Sequence, residues 1–336
     1  MSSTNATQTC ALCGKEAALH CSGCCDAHPY QPGNAFNTYY CNRACQREHR
    51  PTHKSCCKVI GLRIKLARAP MMLSTAILTY REVFYNLNLT RTEPRDGVLF
   101  LHQKEPKSFK FRHFPSDCIT DFDMQQAIMS HNQSIVAICL LGRLAKRLLA
   151  DAGVPCTLET LDLHIGNPHI LTKLVHGPAC TNINHSVIKV TLTFPPDTAT
   201  VLEIWIIDTT GRQYGFHPFC PCEHYITETD GRILNGPSAY TATETADLDD
   251  FKTLIDRLPN SDRLPNSETL NEMQNWDSQR WLLERRARMR IAAWVGEGSA
   301  HGDWKDALSG PCNKWTDQLD ALRGSLGMYL LARGEL

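Results

Sequence analysis

The sequence predicts an α+β fold in which a small cysteine-rich module precedes a mixed α/β domain with antiparallel strands and a helical C-terminal section. Nine of the 16 cysteines lie within the first 57 of 336 residues. Two alternating apolar segments, HSVIKVTLTF and VLEIWIID, are separated by a turn-rich stretch and are typical of a β-hairpin. Elsewhere apolar residues recur at helical spacing. The length suggests roughly two domains and a smaller unit.

Composition and charge narrow the class of protein. Hydrophobic residues make up 42% and charged residues 21%, as in ordinary globular proteins. Lys+Arg and Asp+Glu both number 35, which argues against a broad nucleic-acid or membrane surface. The N-terminus lacks the character of a signal peptide, and no apolar run reaches the roughly 18 residues that span a bilayer. We therefore expect a cytoplasmic or nuclear protein, with the oligomeric state left open.

The N-terminal cysteines have the spacing of metal ligands. Two C-x2-C pairs are followed by a C-x3-C step and an H-x3-C step. Eight thiolate or imidazole groups suffice for two tetrahedral zinc sites, and a segment this short needs metal to fold. In a reducing compartment such a cluster binds metal more often than it forms disulfides. The predicted ligands are Cys10, Cys13, Cys21, Cys24, Cys41, Cys45, His53 and Cys57.

The stretch YYCNRACQREHRPTHKSCC resembles the second half of a MYND-type zinc finger. The pattern of that family is matched by Tyr40, Cys41, Cys45, Gln46, His53, Lys54 and Cys57. The resemblance implies two interleaved zinc ions, one held by Cys10, Cys13, Cys41 and Cys45, the other by Cys21, Cys24, His53 and Cys57. It also implies that the module docks partner proteins.

Several residues beside these ligands bear on the choice of ligands and on peptide binding. Cys25 and Cys56 stand beside ligands and could replace them, although the motif spacing favours the eight named. His49 shares a helical face with Cys45 and is a weaker alternative ligand. Arg50 occupies the position where the family usually has a tryptophan that helps to form its peptide groove. Ordinary recognition of proline-containing peptides is therefore in doubt, whereas zinc binding is unaffected.

The remaining elements follow in chain order. We expect a helix after Cys57 that breaks near Pro70, a strand at DGVLFLHQ, and a short helix capped by Asp121. A stronger helix covers 134–151, and strands follow at CTLETLDL, HSVIKVTLTF and VLEIWIID. The predicted divisions are a flexible N-terminus at 1–9, the finger at 10–57, an α+β domain at 58–250, a linker at 251–267 and a helical region at 268–336.

The linker and the helical region have their own patterns. DRLPNS occurs at 256–261 and again at 262–267, and its polar residues and prolines favour a loop. A long helix then runs through Val295, with Trp276, Leu283, Ala287 and Trp294 on one face. Its arginines at 285, 286, 288 and 290 form a solvated flank or, alternatively, bind nucleic acid or an acidic partner.

Three residues of the middle region suggest an enzyme. Cys139 is expected opposite the buried face of its helix, beside Arg143 and Lys146, where nearby cations favour a thiolate. If the following hairpin turns near residues 197 and 198, residue 208 pairs with about residue 187. Asp208 is then a diagonal neighbour of His185 on the same face.

The order Cys139, His185, Asp208 resembles that of papain-like and transglutaminase-like hydrolases over residues 133–213. The resemblance implies that Asp208 orients His185, which activates Cys139 for acyl transfer, with Gln133 in the oxyanion hole. The chain departs from the pattern, since no glycine adjoins Cys139 and Thr209 rather than proline follows the aspartate. The resulting hypothesis is a cysteine-dependent hydrolase or transferase. The alternative is structural: Cys139 lies under a covering helix, His185 is a hydrogen-bonded strand residue, and Asp208 caps the turn at DTTG.

Two weaker patterns complete the candidates. NINHS at 182–186 resembles the cofactor motif of SET lysine methyltransferases, but the Gly-x-Gly signature is missing. FCPCEH at 219–224, with His217 nearby, offers four metal ligands crowded within eight residues, so loop cysteines are the better interpretation. The sequence therefore favours a zinc-dependent interaction protein, with the acyl-transfer enzyme as alternative.

Overall fold

A computed structural model defines the architecture of the chain. It describes residues 8–24, 28–30, 37–104, 111–119, 121–175, 183–194, 202–240, 286–287, 289–291, 293–295, 306–310 and 315–332. The repeat at 256–267, Trp276, Leu283 and the arginines at 285 and 288 lie outside these residues. None of the described helices is long and apolar enough to cross a membrane.

The N-terminal module consists of a two-stranded sheet and the beginning of a long helix. Strands β1 (Leu19–His20) and β2 (Tyr39–Tyr40) pair antiparallel. Helix α1 (Arg43–Val83) follows, and the side chain of Asn42 caps it by accepting a hydrogen bond from the Cys45 backbone N–H at 3.0 Å. The finger is thus continuous with the body through one helix.

The expected break of this helix near Pro70 is wrong. Helix α1 runs for 41 residues through both Pro51 and Pro70. A proline inside a helix removes one backbone hydrogen bond, but packing of the surrounding turns can compensate. Pro70 is buried, and its neighbour Ala69 is fully buried in the main core. The predicted boundary between residues 57 and 58 consequently falls inside α1.

A three-stranded sheet lies beside the end of α1. Strands β3 (Leu89–Arg95) and β4 (Val98–Gln103) form a hairpin, and β6 (Leu171–Leu174) pairs with β4 in parallel. The hairpin turns at Asp96 and Gly97, both with positive φ, as a two-residue Asp-Gly turn requires. Helix α2 (Phe122–Ser130) begins as predicted, because Asp121 accepts a hydrogen bond from the Met124 N–H at 2.8 Å.

The main sheet has five antiparallel strands in the order β10, β5, β7, β8, β9. Their bounds are β5 Cys156–His164, β7 Asn184–Thr193, β8 Leu202–Ile207, β9 Phe219–Pro221 and β10 Arg232–Ala239. The expected strands are confirmed, and Ile188 pairs with Ile207 as the expected register requires. Strands β3, β6, β9 and β10 were not predicted.

The two faces of this sheet support different clusters. Helix α3 (Ser134–Asp151) packs with α1 against the face that carries Ile188 and Val190. A smaller cluster on the other face contains Val187 and joins the sheet to α4 (Cys222–Glu228). The C-terminal helix α5 (Trp315–Ala332) lies along α1 and completes the main core. In the described part of the preceding helix, Ala287 and Trp294 are buried as predicted.

Candidate metal centre

The first cluster of ligands joins the beginning of the finger to the beginning of α1. Cys10 and Cys13 flank a tight turn, Cys41 directly follows β2, and Cys45 lies in the first turn of α1. The Cys13 and Cys41 Sγ atoms are 3.5 Å apart, and those of Cys41 and Cys45 are 3.4 Å apart. All four sulfur atoms lie within 4.8 Å of one another.

The second cluster joins the other turn to the next part of α1. Cys21 Sγ lies 3.8 Å from Cys57 Sγ, and Cys24 Sγ lies 3.2 Å from His53 Nε2. Again all four ligand atoms lie within 4.8 Å of one another. Gly23 is required in this turn, because a Cβ atom there would lie 2.8 Å from the Cys57 sulfur.

Both clusters have the dimensions of a closed zinc site. With Zn–S bonds of about 2.3 Å, a regular tetrahedron has S···S edges of roughly 3.8 Å, which agrees with these separations. Each cluster supplies four soft or borderline ligands, so a bound zinc ion has no open position for substrate or water. The arrangement therefore fits two structural zinc ions in the interleaved pairing.

The crowded thiols explain why metal is needed at these sites. Burial, together with the neighbouring Cys57, raises the pKa of Cys24 well above its ordinary value. A hydrogen bond with Cys41 and then burial raise the pKa of Cys45 to about 12. Burial also acts to raise the pKa of Cys10, but nearby backbone N–H groups outweigh it and lower that pKa to about 6. Without a cation, the adjacent thiolates of each site, four in the first and three in the second, would repel one another, and a divalent ion removes that cost.

The structure separates the ligands from their neighbours in sequence. His49 is outside both clusters; its Nδ1 lies 3.0 Å from the Tyr40 hydroxyl oxygen, and its ring stacks on His53 at 5.7 Å. Cys56 is exposed and also outside them. Cys25 lies outside the described residues. His49 thus supports the ring of His53 instead of replacing it.

A contact between the finger and the main sheet was not anticipated from sequence. The Ile204 backbone N–H donates a hydrogen bond to the Tyr30 hydroxyl oxygen at 3.2 Å. The Tyr30 ring lies 5.2 Å from Trp205, and His28 lies 5.5 Å from Phe219. The segment after the second zinc turn therefore covers β8 where β9 ends. Only its aromatic residues could have suggested this, and they carry no spacing signal.

A buried ion pair fixes α1 to the same strand. Arg63 Nε donates to both carboxylate oxygens of Glu203 at 3.0 Å, and its Nη2 also contacts that carboxylate. Trp205 Nε1 donates to Glu203 at 3.1 Å, and the Trp205 ring stacks on Phe219 at 4.6 Å. Both charged side chains are almost fully buried. The finger, α1 and β8 are consequently held by one connected set of contacts.

The structure brings His185 and Asp208 together. His185 Nε2 lies 2.9 Å from Asp208 Oδ2, with both side chains buried, but the angle is not that of a hydrogen bond. The carboxylate is held by the Tyr225 hydroxyl at 2.7 Å and the Thr210 backbone N–H at 3.1 Å. The pair lies on the face of the main sheet that carries Val187.

Cys139 is not part of this group, and its expected exposure is wrong. The N-terminal half of helix α3 is buried on nearly all sides, because α1 and the sheet enclose it and Tyr240 approaches closely at Gly142. Cys139 is 6% exposed and belongs to the core on the face that carries Ile188. His185, on the same face as Val187, points to the opposite side.

The other candidate positions have structural roles. Gln133 precedes the first residue of α3 and donates to the His131 carbonyl at 3.1 Å. Cys220 lies in β9, where burial raises the pKa of its thiol to about 12, and Cys222 begins α4. Among the described residues, only the two finger clusters gather ligand atoms closely enough for a metal ion.

Comparison with known proteins agrees with this geometry. Residues 10–57 match the family model of the MYND finger. The match includes all eight ligands and covers about one seventh of the chain. Neither the search of curated proteins nor the search of solved structures gives a match.

Proposed function

We propose that this protein is a zinc-dependent adaptor whose MYND finger binds a partner protein. The observation that carries the proposal is the pair of complete four-ligand sites, because closed zinc sites stabilise a binding module and leave no position for catalysis. MYND fingers generally mediate protein interactions, which supports the same role. The contacts of Tyr30 and Arg63 hold the finger against the body, so a bound partner takes a defined orientation.

We also propose that the adaptor works in the cytoplasm or nucleus. Its finger depends on eight ligands of which seven are thiols, and these stay reduced where glutathione and thioredoxin are active. Cys56 is an exposed free thiol beside a ligand, and it would readily form disulfides in an oxidising compartment. A fluorescent fusion of the full chain, imaged in intact cells, tests this location.

The cysteine-dependent acyl-transfer alternative has weaker support. The approach of His185 to Asp208 favours it, since this pair has the composition of an acid–base dyad. The burial of Cys139 on the other face of the sheet speaks against it. We therefore retain the adaptor as the proposed function.

The test compares zinc content with partner capture. The tagged full chain is prepared as wild type, as the double variant Cys10→Ser/Cys41→Ser, and as Cys56→Ser, a control at an exposed cysteine outside the sites. We expect about two zinc ions per chain in the wild type and the control, and one fewer in the double variant. Proteins that co-purify with the wild type should be lost only from the double variant. Their retention would contradict zinc-dependent docking.

A further inference from the structure

The exposed side of the finger helix carries a continuous row of positive charges. The row, here called the basic stripe, consists of Arg43, Arg47, Arg50, Lys54 and Lys58. Their spacings of four, three, four and four residues place them within about 80° of the helix circumference. All five are exposed, whereas His53 on another side of the helix is buried. The stripe is roughly 22 Å long at 1.5 Å per residue.

Within the part of the chain that the structure describes, the charges of the stripe are not paired with carboxylates. Across the part of the chain that the structure describes, no carboxylate forms an ion pair with any of the five. The nearest acidic residue in sequence, Glu48, points about 120° away from the centre of the stripe. Arg91, Arg95, Arg147, Lys189 and Arg323, by contrast, each have a carboxylate within 4.0 Å.

This arrangement opposes two preferences of an isolated helix. Like charges three or four residues apart destabilise a helix by a few tenths of a kcal/mol per pair, and the stripe contains four such neighbours. Cations near a helix N-terminus are also unfavourable, yet Arg43 begins α1 and its first turn has no acidic residue. Departures from local preference that no described carboxylate offsets point to a functional surface.

We propose that the basic stripe is the docking surface for an acidic peptide segment of the partner protein. The inference rests on the proposed adaptor function and names the chemistry of its partner. An extended segment of about seven residues matches the stripe in length. Alternate carboxylates then lie about 7 Å apart, within reach of long basic side chains one helical turn apart. Exposed ion pairs are individually weak, so affinity comes from several together.

A peptide fits these residues better than nucleic acid does. Single-stranded nucleic acid is usually held by exposed aromatic rings in addition to cations. Of the rings beside this part of α1, Tyr40 and His53 are buried, and His49 is half-buried by stacking on His53. The chain as a whole has a formal net charge of zero, which gives no general attraction for phosphate backbones.

The experiment uses the zinc-loaded full chain and defined probes. Fluorescence anisotropy measures binding of a labelled decapeptide of alternating Glu and Ser, of the same peptide with Gln for Glu, and of a labelled 20-nucleotide single strand. The stripe is tested by Arg47→Glu/Arg50→Glu. A matched control, Lys146→Glu/Arg232→Glu, makes the same change of net charge at exposed positions elsewhere.

We expect the Glu peptide to bind, the Gln peptide not to bind, and the stripe variant to weaken binding about 10-fold or more, while the control stays within about twofold. The stripe variant should fold normally, because glutamate near the start of a helix is favourable. Equal losses in both variants, absence of peptide binding, or tighter stripe-dependent binding of the nucleic acid would each overturn the proposal. If the stripe variant still captures the partner that Cys10→Ser/Cys41→Ser loses, the stripe proposal fails and the adaptor function stands.

Discussion

The hydroxyl oxygen of Tyr30 accepts a hydrogen bond from the backbone N–H of Ile204 at 3.2 Å. Trp205 pairs with Pro221 at the last position of β9, and the chain then enters α4. The backbone N–H of Ile204 therefore has no acceptor in β9, and the Tyr30 hydroxyl of the finger takes that place. Through this contact the metal-binding segment helps to stabilise the main sheet.

Removal of that hydroxyl should destabilise the protein modestly. In Tyr30→Phe the Ile204 N–H loses its acceptor while the ring contact with Trp205 is kept, so we expect a loss of about 1 kcal/mol. Urea unfolding followed by circular dichroism measures it. Tyr39→Phe is the control, since the hydroxyl of Tyr39 makes no hydrogen bond in the described structure. Equal stability of the two variants would contradict a structural role for the contact.

Loss of the two zinc ions should have unequal effects on the body. Cys13→Ser and Cys24→Ser each remove a ligand, and each should reduce the zinc content by one. Only the second site lies in the segment that leads to Tyr30, so Cys24→Ser alone should disturb the surroundings of Trp205. Fluorine NMR of fluorotryptophan-labelled protein reads this out, with Trp205→Phe to assign the signal. A shift of equal size in both variants would contradict a specific link between the second zinc site and Trp205.

The buried pair between Arg63 and Glu203 should be sensitive to loss of one partner. Glu203→Gln leaves the guanidinium of Arg63 buried without its counter-charge, and we expect a loss of about 3–5 kcal/mol in the free energy of unfolding. Glu93→Gln breaks exposed ion pairs and should cost less than about 1 kcal/mol. Denaturant titrations of both variants make the comparison. Similar small losses would show that solvent reaches the buried pair.

Stability should fall in acid partly because of His131. Burial, and then the charge of Arg81, lower the pKa of His131 from 6.5 to about 4, so the folded state keeps the imidazole neutral. The unfolded chain binds the extra proton first as the pH falls. Stability is therefore full above about pH 6.5 and is lost down to about pH 4, by roughly 3 kcal/mol.

The variant His131→Gln isolates this effect. Its unfolding free energy should depend less steeply on pH than that of the wild type between pH 6.5 and 4. Acid also releases zinc, but both proteins share that contribution, so the difference between them reports the histidine. Parallel pH curves would mean that His131 takes up its proton over the same pH range in the folded and unfolded states.

Cys139 should react with iodoacetamide only when the protein unfolds. It is 6% exposed, whereas Cys56 is exposed and serves as the internal reference. Mass spectrometry of the zinc-loaded protein across a pH series gives both labelling rates, in the wild type and in His185→Ala. Fast labelling of native Cys139 at neutral pH, abolished by His185→Ala, would favour the acyl-transfer alternative.

The features predicted from sequence are those encoded by local spacing. The eight ligands follow from short intervals such as C-x2-C and H-x3-C, since a turn or a helix fixes the separation of such side chains. The register of β7 against β8 follows from the apolar alternation on both sides of one turn. The cap at Asp121 is likewise a local feature, because it depends only on a residue next to the first turn of α2.

The features missed depend on contacts between distant parts of the chain. A single helix with one polar side predicts one buried face, so the sequence could not decide between an exposed Cys139 and one enclosed by α1 and the sheet. Pro70 predicted a break because the packing that compensates for its missing N–H comes from other elements. Tyr30 lies 174 residues from the strand that it covers, and no periodic pattern connects them.

Because α1 is uninterrupted, the number of residues between finger and body determines how the finger is oriented on the body. Inserting one alanine after Gly61 would turn the finger by about 100° and advance it by about 1.5 Å, which takes Tyr30 away from β8. An insertion of four residues exceeds one full turn by only about 40°, so it nearly restores the angle while leaving a displacement of about 6 Å. A change of length at this point therefore alters the rotation of the finger relative to the body. A zinc module on a flexible linker, by contrast, would tolerate any length.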